Sequence, residues 1–251
     1  MRNLKKLVFP LMLAMVMSLT ATAEDAPTAP TGFSVLTVEV KAGSQQTFEA
    51  FIAKYKEAVE KVGGPAWFAE SPGIGSLTTY SFARPFNSYA DLADQSNPLV
   101  EAFGADEAQK VAALFGDSVA SSSTATYLPR PDLSIQNDGE GAEVVLAFDI
   151  SVNPGMEEKF ENWVKKLIAA TDDRQFNTYQ RGVGEGPDYS VRVPMKWADL
   201  DVQPTPIPEV LEKKYGKKEM RRLMADNLAA VSSIVESVTR VRADMSNIPA
   251  N

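Results

Sequence analysis

The sequence predicts an α+β protein in which one strand–helix–strand–strand–helix–strand unit is written twice. Three observations carry this. Two long segments share a residue pattern at a nearly constant offset of 112 positions. Each segment opens with an alternating β-branched run that passes through a glycine turn into apolar residues at helical spacing. Each closes on the same motif, Arg130-Pro131-Asp132-Leu133-Ser134 in one and Arg242-Ala243-Asp244-Met245-Ser246 in the other.

The elements follow in order. Phe33 to Val40 and Val144 to Val152 are rich in Val, Ile and Phe and predict the first strands. Gly43 and Pro154-Gly155 then turn the chain. Phe48, Phe51, Ile52, Tyr55, Val59 and Val62 recur at steps of three and four, as do Phe160, Trp163, Val164 and Leu167. That spacing places each set on one face of an amphipathic helix. Second strands are predicted near Trp67–Glu70 and Phe176–Arg181, third strands at Leu77–Arg84 and Tyr189–Val193. The glycine-rich stretches Gly73-Ile74-Gly75 and Gly182-Val183-Gly184-Glu185-Gly186 lie between these strands. A phosphate-binding loop needs a helix N-terminus after it, so they read as hairpin turns. Second helices are expected over Asp106–Ser122 and Lys217–Glu236. The apolar stripe of the latter is Met220, Leu223, Met224, Leu228, Val231 and Val235. Fourth strands are Thr124–Leu128 and Ser237–Val241.

Two further matches support the duplication. Val38-Glu39-Val40-Lys41-Ala42-Gly43 aligns with Ile150-Ser151-Val152-Asn153-Pro154-Gly155. Arg84 to Tyr89-Ala90-Asp91-Leu92 aligns with Arg192 to Trp197-Ala198-Asp199-Leu200, at an offset of 108. The element order is the ferredoxin-like βαββαβ unit. The duplicated pattern resembles the dimeric α+β barrel superfamily, which includes the antibiotic-biosynthesis monooxygenase-like domains. The resemblance covers nearly all of residues 32–248 and is specific to fold more than to activity. It implies that the two halves pack sheet to sheet as an intramolecular α+β barrel.

The N-terminus reads as a secretory signal peptide over 1–23. Arg2, Lys5 and Lys6 precede an apolar run from Leu7 to Val16, and Ala21-Thr22-Ala23 fits a cleavage site. The expected mature protein begins at Glu24 and is periplasmic or secreted, with no stable membrane insertion after cleavage. The remaining divisions are a flexible tether at 24–31, repeat 1 at 32–135, a polar linker at 136–141, repeat 2 at 142–248 and a tail at 249–251. The signal peptide holds three of the 25 basic residues and no acid, so the mature chain has 22 basic against 33 acidic residues. A chain this acidic is repelled by nucleic acid. The densest basic cluster runs from Lys213-Lys214 through Lys217-Lys218 to Arg221-Arg222, beside Glu212 and Glu219, and reads as a solvated helix face.

Composition closes several chemistries. With no cysteine there is no disulfide, thiolate nucleophile or iron–sulfur site. With no histidine there is no Ser-His-Asp triad and no imidazole ligand for haem or metal. Asp172-Asp173 lacks calcium-loop spacing around it, so no metal is expected, and no cofactor is assigned.

Strand alternation then defines candidate residues. Leu36, Val38 and Val40, with Phe148, Ile150 and Val152, should meet the helices. The opposite face carries Val35, Thr37 and Glu39, or Ala147, Asp149 and Ser151. In a closed barrel that mixed face points inward, so Thr37, Glu39, Asp149 and Ser151 are ligand-binding candidates, with Tyr179 on strand two of the second copy. Arg84 and Arg192 complete the set. Arg84 is in phase with Tyr80 and Phe82, and Arg192 with Ser190. A buried guanidinium needs a carboxylate or several acceptors, and Glu39 and Asp149 are the nearest by topology. Two readings stay open: ion pairs that hold the barrel, or arginines that grip an anionic or carbonyl-bearing ligand. Tyr89 and Trp197 anchor the segment after strand three or rim a pocket. The leading functional expectation is a non-enzymatic module for a small, partly apolar or anionic ligand, with homo-oligomerisation left open. The alternative, implied by the resemblance, is a cofactor-independent monooxygenase-like enzyme using Trp, Tyr, Asn or Arg to orient an electron-rich substrate. A haem enzyme, which related barrels can be, would lack its usual histidine.

Overall fold

The computed structural model describes residues 30–93, 97–137, 139–171 and 174–248. The proposed signal peptide, nearly all of the tether and Asp172-Asp173 lie outside them. The described residues form eight strands: β1 Gly32–Val40, β2 Phe68–Ile74, β3 Thr79–Phe86, β4 Val119–Pro129, β5 Val144–Val152, β6 Asn177–Gly184, β7 Tyr189–Met195 and β8 Val231–Val241. They hydrogen-bond in the order β1-β3-β2-β8-β5-β7-β6-β4 as a closed antiparallel barrel, built from the two ferredoxin-like copies. Among the described residues six α-helices accompany them: α1 Gln45–Val62, α2 Pro98–Phe103, α3 Ala105–Ser118, α4 Glu157–Ile168, α5 Ile207–Tyr215 and α6 Lys217–Ala230. Among the described residues, no helix is long and apolar enough to cross a membrane.

The chain forms two compact units, and their borders differ from those of the sequence repeats. Among the described residues the first comprises 30–71, Thr78–Thr126 and 242–248; the second comprises Pro72–Leu77 and Tyr127–Val241. In the first, the apolar face of α1 packs on β1 and β3. Phe48 is fully buried, with its ring 4.9 Å from Tyr80 and 6.1 Å from Phe82. Val38 and Val40 join it, as the alternation of β1 requires. In the second, Phe160 of α4 lies 4.7 Å from the Tyr189 ring, with Ile150, Val152 and Val164 around them. Each such fully buried side chain is worth about 1.5–3 kcal/mol.

Several boundaries differ from expectation. The last strands begin earlier, at Val119 and Val231, directly where α3 and α6 stop. Val231, Ile234 and Val235 therefore lie on a strand and not on a helical stripe, and Leu228 of α6 is 81% exposed. The β-branched residues prefer the ladder, and β8 pairs with β5 from Val144↔Arg240 to Val152↔Val231. Two short helices, α2 and α5, precede the expected ones. Asn97 caps α2 by accepting from the Leu99 and Val100 amides, with Pro98 at the first helical position. Gly104 and Gly216 join α2 to α3 and α5 to α6 at φ values of 80° and 79°, a left-handed corner that favours glycine. Gly73 answers a different need. A Cβ there would stand 2.5 Å from the Val238 carbonyl oxygen of β8, so only glycine permits this backbone approach.

The repeated Arg-x-Asp-x-Ser motif finds its purpose in the units. In the first, Arg242 pairs with Glu49 of α1 at 2.8 Å and with Asp244 at 2.8 Å. Ser246 Oγ donates to the Arg242 carbonyl and accepts from the Ala69 amide. Trp67 and Asn247 exchange backbone hydrogen bonds, and the Trp67 indole donates to the Met245 carbonyl at 2.9 Å. In the second unit Arg130 pairs with Glu161 of α4 at 2.6 Å and with Asp132 at 2.8 Å. Ser134 Oγ donates to the Arg130 carbonyl and accepts from the Thr178 amide. Ile135 and Phe176 exchange backbone bonds. Each motif is a clasp that ties a tail segment to a helix and a second strand.

Candidate functional site

The clasps account for the shifts of four groups. Arg242 and Arg130 hold the Glu49 and Glu161 carboxyls below the usual range, and Tyr80 and Tyr189 add hydrogen bonds at 3.0 and 2.8 Å. Burial first, and the Glu49 carboxylate second, push the Tyr80 phenol up to about 12. Tyr189 is raised for the same reasons by burial and Glu161. The duplication of this arrangement, with every polar group facing a neighbour in its own unit, marks it as structural.

Arg84 and Arg192, aligned as equivalents in the sequence, are not equivalent in the structure. Ser34 faces Arg84 across β1 and β3, while Leu146, its counterpart in the second copy, faces Val193 across β5 and β7. Arg192 instead corresponds to Ala83, and Pro85 to Pro194. A slip of one residue sends a side chain to the other face of a sheet. Arg84 accordingly shares the helix-facing side of β3 with Tyr80 and Phe82. It is 4% exposed, donates to the Asp91 carbonyl at 2.7 Å and lies within electrostatic reach of Tyr55. It pins the turn Tyr89–Leu92 and does not meet Glu39. Glu39 accepts from the hydroxyls of Thr78 and Thr79 on the other face. Thr37 stands opposite Ser81 on that same face.

The second unit gathers the remaining candidates. Asp149 faces Ser190 in the β5–β7 register, Ser190 faces Tyr179 across β6, and Arg192 faces Asn177. These residues share the face turned away from the helices. Ser190 Oγ donates to Asp149 Oδ1 at 2.7 Å and accepts from Arg192 Nε at 2.8 Å. Arg192 Nη2 stands 3.6 Å from Asp149 Oδ1. The Arg192–Asp149 pairing expected from strand neighbourhood is therefore present. Ser190 is buried, whereas the Arg192 and Asp149 side chains retain 24% and 32% exposure. Tyr127 of β4 lies within electrostatic range of both, and burial pushes its phenol up to about 12. Val235 stands opposite Asp149 on β8 and is 61% exposed, an apolar surface beside the charges. Ser151 is displaced from the group: it faces Ser233, and its carbonyl accepts from the Ser232 hydroxyl. Ser190 was legible through its phase with Arg192. Tyr127 was not: its strand is expected over Thr124–Leu128, but nothing in that run sets its side chain beside Arg192 and Asp149. Tyr89 rings against Phe86 and approaches Thr126, and Trp197 lies under the Arg240 guanidinium, so both anchor their turns.

No family model matches the chain, and no curated protein does. Solved structures do. An anthrone oxidase-like protein superposes with a TM-score of 0.50 at 11% identity, covering 84% of this chain and 92% of that one. A monooxygenase candidate from Lactobacillus acidophilus gives 0.46 at 11% identity over 85% and 94%. A heme-binding protein from Thermus thermophilus gives 0.37 at 11% identity over 87% and 96%. With the strand order above, the fold is that of the dimeric α+β barrel proteins, its two ferredoxin-like units carried within one chain.

Proposed function

We propose that this is an exported, non-enzymatic binding module that holds a small, partly apolar ligand bearing a carboxylate or carbonyl. The ligand rests on the helix-free face of β5, β7 and β6, against Arg192. The observation that carries the reading is the Arg192–Ser190–Asp149 chain beside exposed Val235. A guanidinium presents five donors in a rigid fork, here oriented by Ser190 and suited to a planar anion or carbonyl. Tyr127 lines the same face as a protonated phenol, which can donate a hydrogen bond but is a poor base near neutral pH. The sequence contains no histidine or cysteine to supply a base or nucleophile in its place. Imidazole-ligated haem is closed to it for the same reason.

Native mass spectrometry of protein recovered from its own exported compartment tests this reading. A retained small molecule, released on denaturation and unchanged after aerobic incubation, is expected. Repeated recovery of empty protein would overturn it. Oxygen-dependent conversion of the retained molecule would replace binding by cofactor-independent oxygenation.

A further inference from the structure

The two copies differ most in charge on one pair of helices. Leu99 and Leu211 are both fully buried, and Gly104 and Gly216 share one backbone conformation, so α2–α3 and α5–α6 align at the same offset of 112. Glu101, Ala102, Ala105, Asp106, Gln109 and Lys110 of the first copy become Lys213, Lys214, Lys217, Lys218, Arg221 and Arg222 in the second. Two acids, one base and three uncharged residues are thus replaced by six bases. All six bases are exposed. Among the described residues only Arg222 of the six is held in close ion pairs, with Glu219 and Asp226 at 2.6 Å each. At 100° per residue, Lys217, Arg221 and Leu228 fall within about 40° of one another on α6. Leu228 is 81% exposed and stands where the first copy has Gly116.

An outward leucine thus stands in line with Lys217 and Arg221, on a chain that is strongly acidic overall. We infer that the α5–α6 face is a docking surface for an acidic protein segment with an apolar side chain to cover Leu228. Charge complementarity selects this occupant. Lys217 and Arg221, in line with Leu228, attract carboxylates, and Leu228 provides the desolvated contact that fixes register.

Fluorescence anisotropy with the full-length mature chain and a labelled peptide of Asp and Glu around a central Phe tests this. The wild-type chain should bind at low ionic strength and weaken as salt rises. Lys217→Glu/Arg221→Glu should lose at least about tenfold in affinity, the scale of one or two lost charge contacts. Leu228→Ser should lose several-fold. Asp106→Lys on the equivalent first-copy helix should bind as wild type does. All variants should keep the wild-type thermal midpoint, since the positions are exposed. Absence of binding, or equal affinity in the double variant, overturns the proposal. An unchanged affinity in Leu228→Ser reduces the face to solvated charge and overturns it as well. Salt-sensitive oligomers of the wild type, or its capture by anionic vesicles, abolished by Lys217→Glu/Arg221→Glu, would reassign the face to a second copy or to lipid.

Discussion

At the scale of single residues, what matters is which face of a strand each side chain occupies. Arg84 and Arg192 look alike in sequence, yet one is buried under α1 and the other faces Asp149 on the far side of its sheet. Replacing Arg84 by Met leaves the half-buried Asp91 carbonyl without its donor, and an acceptor so stranded costs about 1–3 kcal/mol. Chemical denaturation should show that loss, with no change in any retained ligand. A second residue-scale prediction concerns pH. Glu49 and Glu161 have folded-state pKa values below their unfolded value, which is about 4.3. Their contribution to stability is fully present above that value and disappears as pH falls through the lower, folded one. Trp67, buried and bonded to the Met245 carbonyl, reports on the first clasp. Denaturation midpoints followed through tryptophan emission should hold between pH 7 and 5 and fall below about pH 4. A midpoint that rises on acidification would contradict the assignment of these clasps. The face of Asp149 was legible, because Val144–Val152 alternates cleanly from one end to the other. The face of Arg84 was not. The match at Tyr89 and Trp197 fixed the alignment one residue away from the β3–β7 correspondence, and the compensating deletion lies between Pro194 and Trp197.

At the scale of elements, strands and first helices follow from their apolar period, whereas junctions without a loop do not. α3 runs into β4 and α6 into β8 with no turn residue between, so the sequence offers no punctuation there. Apolar Val231 and Val235 fit a helical stripe until the β5 ladder claims them. The clasp motif was visible as a repeat, but its meaning required knowing that Arg242–Asn247 belongs with the first unit. Ending the chain at Val241 should therefore damage that unit. It removes buried Met245, the partner of Glu49 and the acceptor of the Trp67 indole. A loss of about 3 kcal/mol or more is expected from the packing and hydrogen bonds together. Red-shifted Trp67 emission would accompany it, and unchanged emission and stability would sink the clasp reading. Gly73→Ala gives a local counterpart. A Cβ pressed against the Val238 carbonyl forces backbone movement, at about 1–3 kcal/mol.

At the scale of the whole molecule, duplication explains both what is shared and what is not. The closed strand order, the paired clasps and the paired glycine corners are common property of the two copies. The Arg192 chain on β5–β7 and the cationic face of α5–α6 belong to the second copy alone, which is where we place function. Repeats 32–135 and 142–248 made separately each lack the tail that completes their clasp, and should aggregate or self-associate; size-exclusion chromatography would show this, and two soluble monomers would argue against it. The most direct test of the binding role is Arg192→Met in the full chain, read by native mass spectrometry and thermal unfolding together. The proposal predicts that the exported variant loses the retained small molecule while its ligand-free thermal midpoint stays near that of ligand-free wild type. A variant that keeps the ligand, or that loses several kcal/mol of stability with no ligand present, would show that Arg192 only holds the sheet and would contradict the proposal.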